Sequence, residues 1–150
     1  MALPLLAEVK IAKEDNRLVV TVEGKPLTTL YYGPGTMKPY LHPLYAASGT
    51  IVTRRWPMEK VEGETKDHPH HEGIWFTHGD VNGYNFWMKA EDDKRQGKVV
   101  VDRILREQSG GKRGTIGFTG RWLDGQGKAI LREDRVMTFH DDRKIDLTSR

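Results

Sequence analysis

This chain predicts an all-β protein, an antiparallel β-sandwich, on three observations. From residue 98 onward, β-branched runs alternate with turns of Gly, Asp and Ser. Near the other end, RLVVTV and LTTLYY flank the turn residues of EGKP and read as a hairpin. Sixteen glycines and seven prolines suit a turn-rich β chain better than a helical one. The single helix-compatible window, residues 87–93, is short.

Taken in order, residues 8–11 form a short first strand. Residues 17–22 and 27–32 form the hairpin, and Gly33-Pro34-Gly35 stops it. Residues 38–49 carry two prolines and a glycine, so they pack irregularly, held by Tyr40, Leu41, Leu44 and Tyr45. Residues 50–54 (TIVTR) and 73–78 (GIWFTH) have strand composition, and residues 85–87 begin another short strand. Residues 90–97 read as a solvated charged loop. Strands are then expected over 98–108, 115–123, 129–139 and from 144 onward, joined by SGGKRG, DGQGK and HDD. The sequence stops within that last pattern, and an unpaired terminal strand exposes an edge. One sandwich domain is therefore expected, shortened at its C-terminus or paired with a second copy through exposed strand edges.

Composition excludes several functions. With no cysteine, disulfides, thiolate metal sites and Cys nucleophiles are out. The pI near 9.1 reflects 24 basic against 21 acidic residues. They are interspersed, as in Arg132-Glu133-Asp134-Arg135, so a solvated mixed surface is expected and not a nucleic-acid stripe. No apolar run reaches the roughly 18 residues of a membrane span, so no membrane partner is expected. The first ten residues lack the basic region of a signal peptide. A cytoplasmic location is the default, with a periplasmic one open. No dinucleotide fingerprint, Walker loop or Gly-x-Ser-x-Gly elbow occurs, so no nucleotide cofactor is expected.

The chemistry concentrates in DHPHHEGIWFTHGDVNGYNFW, residues 67–87, which holds four of the six histidines and two of the four tryptophans. One reading is a sugar site. Trp75, Trp87, Tyr40 and Tyr84 offer apolar platforms. His70, His71, His78, Asp80, Asn82 and Lys38 offer donors, acceptors and a proton. In acid–base chemistry, His71 or His78 is the acid, and Glu72, Asp80 or a residue beyond Arg150 is the base. A second reading is a cupin-like metal-dependent enzyme, its His-x-His pair and a carboxylate holding iron, manganese or zinc. His68 and His70 are two apart and share one face of an extended chain with Glu72, which suits a divalent cation. The third reading is structural, with the imidazoles and amides satisfying backbone groups around a turn of a protein-binding sandwich. Lys38, among Tyr31, Tyr32 and Tyr40, is a candidate for partial desolvation. His42 and His140 stand alone and are not expected to be ligands.

Two motifs, LYYGPGTMKPYLHPLYAASG and the 67–87 stretch, resemble the bacterial family called methane oxygenase PmoA or PmoA-like. The shared positions are Lys38, Pro39, Tyr40, Pro43, His68, Pro69, His70, His71, Gly73, Trp75, His78, Gly79, Asp80, Asn82, Gly83, Phe86 and Trp87. The resemblance covers about residues 27–140. The family name implies methane oxidation, but the membrane enzyme subunit that does this needs transmembrane helices, and this sequence contains no span for one. The resemblance instead implies a β-sandwich of the galactose-mutarotase-like kind, and proteins often found beside sugar oxidoreductases and glycan-degrading proteins. It implies a longer chain than this one, and it transfers no catalytic assignment.

Overall fold

A computed structural model describes residues 8–90 and 92–150. The N-terminal apolar patch, residues 1–7, and Glu91 of the charged loop lie outside them. Two antiparallel sheets, not closed into a barrel, face each other, and no helix occurs among the described residues. The first sheet runs β1 (Val9–Glu14), β2 (Arg17–Val22), β3 (Lys25–Tyr31), β4 (Tyr40–Leu41) and β5 (Ile74–Trp75) in spatial order. The second runs β6 (Lys98–Gln108), β7 (Arg113–Leu123), β8 (Ala129–His140) and β9 (Ile145–Ser149). The fold is the all-β sandwich that the alternating runs predict.

Local chemistry sets the turns. Glu23 and Gly24 both adopt positive φ, 52° and 74°, as a two-residue turn between right-twisted strands requires. Between β7 and β8 the Asp124 carboxylate accepts the amides of Gln126 and Lys128 at 2.9 and 2.8 Å. In β3 the register shifts so that Thr21 faces Pro26 and Val20 faces Thr28, leaving Leu27 as the extra residue of a bulge. Leu27 and Thr28 are then both buried.

Two hydrophobic clusters result. The larger joins the inner faces of the sheets through Val9, Leu18, Val20, Leu27, Leu30 and Leu41 on one side and Ile116, Phe118, Met137 and Phe139 on the other. Backbone bonds between Val9 and Gly110 lace the first strand to the β6–β7 turn at 2.8 and 3.0 Å. The long strands β7 and β8 run past the first sheet, and the segment between β5 and β6 covers that end. There Phe86 packs on Val99 and Trp122, with Val81 and Tyr84 beside them. Tyr84, partly buried against this cluster, lines neither of the clefts beside β4 and β5.

Three strand expectations are corrected. Residues 50–54 form no strand, only one bridge, between Ile51 and Tyr45. Of residues 73–78, only Ile74 and Trp75 pair. Asn85 makes a single bridge to Gln96, and residues 85–87 form no strand. In each case β composition sits beside too many turn residues for a ladder to extend. The mixed-charge run 132–135 is also corrected. It lies within β8, where alternation turns Glu133 and Arg135 inward, 4% and 1% exposed, while Arg132 and Asp134 stay outside.

Candidate functional site

The short β4–β5 pairing sets Tyr40 opposite Trp75 and Leu41 opposite Ile74. Gly73 makes this approach possible. Its φ is 78°, and a Cβ there would lie 2.3 Å from the Leu41 carbonyl oxygen. Two clefts flank the pair, because His71, Gly73 and Trp75 line one and Glu72 lines the other.

The first cleft, of about 620 Å³, is walled by Trp75, Trp87, Ile74 and Phe76, with His71, Thr53, Arg54 and Thr77 as its polar members. Trp75 and Trp87 meet edge to face, centroids 4.6 Å apart. Trp87, Phe76 and Ile74 are 43%, 44% and 39% exposed, so this apolar wall faces solvent. Arg54 is already engaged. Its Nη2 donates to the Asp67 carboxylate at 2.7 Å and also to the Thr65 carbonyl. Bonds from Thr65, His68 and Arg54 hold the Asp67 carboxyl down at about 2.

Lys38 connects the two tryptophans from beneath. Its ammonium donates to the Trp87 carbonyl at 3.1 Å and lies 4.1 Å from the Trp75 ring centroid. The residue is 1% exposed. Burial lowers its pKa to about 8 despite the Glu72 carboxylate, and Lys89 adds to the lowering. The expected desolvation of this lysine is therefore present.

The second cleft, of about 380 Å³, lies against the stacked Tyr31 and Tyr40, 5.2 Å apart, and includes His42, Glu59, Glu72 and Lys89. Glu72 Oε1 accepts from Lys89 at 3.2 Å, and its Oε2 has no partner. Burial, with help from Glu72 and Tyr31, pushes the Tyr40 hydroxyl up to about 12. His42 lines this cleft too. It gave no sequence signal because it stands apart from the histidine-rich run.

The histidine-rich run is a turn, not a strand. The His71 amide donates back to the His68 carbonyl at 3.0 Å, and His68 has φ of 46°. The two-residue alternation assumed for His68, His70 and Glu72 is thereby lost, as Pro69 favours. The rings cluster instead, His68 stacked on His71 at 5.0 Å and His70 edge-on to His71 at 4.3 Å. His70 is buried, and burial, with His71, Lys38 and His68 close by, lowers its pKa. Among the described residues no three His, Asp or Glu side chains are placed to hold one metal ion, so His68, His70 and Glu72 do not fit a divalent cation.

His78, Asp80 and Asn82 line neither cleft. All three are exposed, in a turn where His78 Nδ1 lies 3.0 Å from the Asp80 carbonyl oxygen and Asp80 Oδ1 accepts the Gly83 amide at 2.9 Å. The acid–base pairs of His71 or His78 with Glu72 or Asp80 are therefore not assembled around one cleft. A further groove, on the outer face of β6–β8, is lined by Asp102, Arg121, Arg132 and Asp134. Its Arg121–Asp102 pair is complete at 2.7 Å, as on a solvated sheet face.

The molecule is thus an open antiparallel β-sandwich with two clefts beside one short strand pair. The chain belongs to a family of unknown function, DUF6807, whose model matches residues 17–150. No curated protein and no solved structure matches it. No helix among the described residues is long and apolar enough to cross a membrane.

Proposed function

We propose that this is a carbohydrate-directed protein, PmoA-like in its motifs, that binds a sugar in the cleft walled by Trp75 and Trp87. One observation carries the reading: the cleft joins an exposed aromatic wall to buried polar atoms without partners. Of the eight such side-chain atoms among the described residues, Arg54 Nε and Thr77 Oγ1 belong to this cleft. A buried donor or acceptor left unpaired costs about 1–3 kcal/mol, so such atoms collect where a ligand completes them. A sugar presents an apolar C–H face to indole and hydroxyls to the donors around it.

The charges favour a neutral sugar. Arg54 already has Asp67 as its counter-ion, so an anionic ligand gains little from it. Carboxylates are missing from the residues lining the cleft, which favours binding over paired acid–base catalysis. His71, half-buried at the cleft wall, supplies a hydrogen bond and orientation.

The test is tryptophan fluorescence titrated with glucose, galactose and N-acetylglucosamine. Saturable quenching is expected with at least one of them. In Trp87→Ala and His71→Ala, which keep the wild-type circular dichroism, affinity is expected to fall by about tenfold or more, roughly one good contact. If none of the three sugars gives saturable quenching, or if both variants bind as the wild type does, the reading fails.

A further inference from the structure

We propose that the second cleft, between the Tyr31–Tyr40 stack and Glu59, is a separate ligand site, which takes a small neutral polyol through His42, Glu72 and Lys89. It stands independently of the sugar reading for the tryptophan cleft, since the two share no lining residue.

Three of the eight unpartnered buried polar atoms are here: both ring nitrogens of His42 and Oε2 of Glu72. His42 is 3% exposed and Glu72 8%, so neither meets its needs in bulk solvent. The Glu59 carboxylate lies 3.7 Å from Nε2, too long for a hydrogen bond. Glu59 is itself held loosely. Its side chain is 46% exposed, and its other ionic contact, to Arg55, is 3.8 Å. It is free to swing aside and admit a ligand to the ring.

The unfilled groups define the ligand. Glu72 Oε2 only accepts. Neutral imidazole donates from one nitrogen and accepts at the other. Burial lowers the pKa of His42, which favours that neutral form. Lys89, bonded to Glu72 Oε1, adds donors. A ligand matching this set must both donate and accept at several points, as vicinal hydroxyls do. The Glu59 and Glu72 carboxylates disfavour an anion, and the ammonium groups of Lys89 and of Lys38, which acts on both Glu72 and Lys89, balance them and disfavour a cation. Tyr40, Pro43, Pro57 and Met58 give the apolar walls against which a carbon skeleton packs.

The experiment follows the His42 ring Cε1–Hε1 resonance of the 150-residue protein by NMR during titration with glucose, myo-inositol, glycerol and, as a cation, choline. A saturable shift with at least one polyol is expected. Its affinity should fall about tenfold in the isosteric Glu72→Gln, the loss of one charge-assisted acceptor. It should hold or tighten in Glu59→Ala, which removes the side chain that swings aside, at a half-exposed position where the fold is not at risk, and persist in Trp87→Ala. The proposal is overturned if the resonance moves with no polyol, which leaves only water in the cleft, or if it moves with choline alone. It is overturned equally if the shift disappears in Trp87→Ala and survives Glu72→Gln at unchanged affinity. Sugar quenching of tryptophan fluorescence, lost in Trp87→Ala, reports on the other cleft regardless of this result.

Discussion

Two groups of buried charge sit in this small sandwich, and they are built in opposite ways. In the second sheet Glu133 and Arg135 close largely on each other, and only Arg135 Nη1 lacks a partner. Glu133 Oε1 takes Arg135 Nε at 2.6 Å and the Ser149 hydroxyl at 2.7 Å, and Oε2 takes Trp122 Nε1 at 2.8 Å. The guanidinium lies between the Phe76 and Phe118 rings, 5.3 Å from each centroid, and donates to the Phe76 carbonyl at 3.3 Å. Beside β4 and β5, by contrast, Lys38 has one hydrogen bond, Glu72 keeps one bare oxygen, and His42 has none. A buried network with nearly every group paired fixes a structure, whereas one with several unpaired groups beside a cleft marks a place a ligand can fill. The first group fastens the segment after β5 to the long strands, and the second lies where that segment opens into clefts.

The largest effect that tests this contrast is in the closed group. Arg135→Met leaves the Glu133 carboxylate buried without its counter-ion, and a loss of about 3–5 kcal/mol is expected. Urea denaturation reads it. The double variant Glu133→Leu/Arg135→Met should recover much of the loss, because no charge is then stranded. A single-variant loss below about 1 kcal/mol would contradict a structural role for the pair.

The open group should behave in the reverse sense. Lys38 has a folded-state pKa of about 8, below its usual value of 10.5, chiefly through burial. A lowered lysine pKa means that the unfolded chain binds more protons between those values, so stability rises with pH there. Between pH 8 and 10 the gain should approach about 2 kcal/mol. Above pH 10 the Tyr40 hydroxyl, held up to about 12, works against it, since an unfolded tyrosine ionises first. Lys38→Met should flatten the rise from pH 8 to 10 and leave stability at pH 7 unchanged or higher. An equally steep rise in that variant would remove Lys38 as its source.

The same contrast explains what could be read from the sequence. Strands β6 to β9 were legible because β-branched or alternating runs, 11 or 12 residues long in the three longest, stand between turns marked by Gly and Asp. The first hairpin was legible for the same reason. Alternation itself misled at Gly73 to His78 and from His68 to Glu72, where Pro69, the left-handed His68 and Gly73 cut the extended chain. Trp75, Trp87, His71 and Lys38 were singled out by residue type, and folding gathers them, with Lys38 bonded to the Trp87 carbonyl and set against the Trp75 ring. Glu133 and Arg135 were misread because charge in sequence indicates a solvated face, and only pairing across β7, β8 and β9 shows what neutralises them. His42 was missed because 30 residues separate it from Glu72, and only folding brings the two to one cleft.

A smaller effect separates binding from stability within the first cleft. Trp87→Ala removes an edge-to-face pair with Trp75, worth about 0.5–1.5 kcal/mol, from a residue that is already 43% exposed. Thermal unfolding should shift by a few degrees at most, while sugar quenching disappears. A loss of stability as large as that of Arg135→Met would make Trp87 a core residue, and the wall of the cleft would then be packing.

The smallest expected effect concerns the most conspicuous letters of the sequence. His78, Asp80 and Asn82 belong to a turn that closes locally, through Asp80 on the Gly83 amide and the left-handed Asn82 and Gly83. Asp80→Ala gives up one exposed turn hydrogen bond, about 0.5–1 kcal/mol, and Asn82→Ala a similar amount of backbone strain. His78→Ala should cost less than about 0.5 kcal/mol, as exposed positions usually do. None of the three should change the sugar affinity of the tryptophan cleft or the His42 shift with polyols. If His78→Ala or Asp80→Ala abolishes sugar binding in a protein of unchanged stability, this turn reaches the ligand. The site then extends from the tryptophan wall to the exposed turn, and His78 with Asp80 regains the acid–base role that the spacing of residues 67–87 first implied.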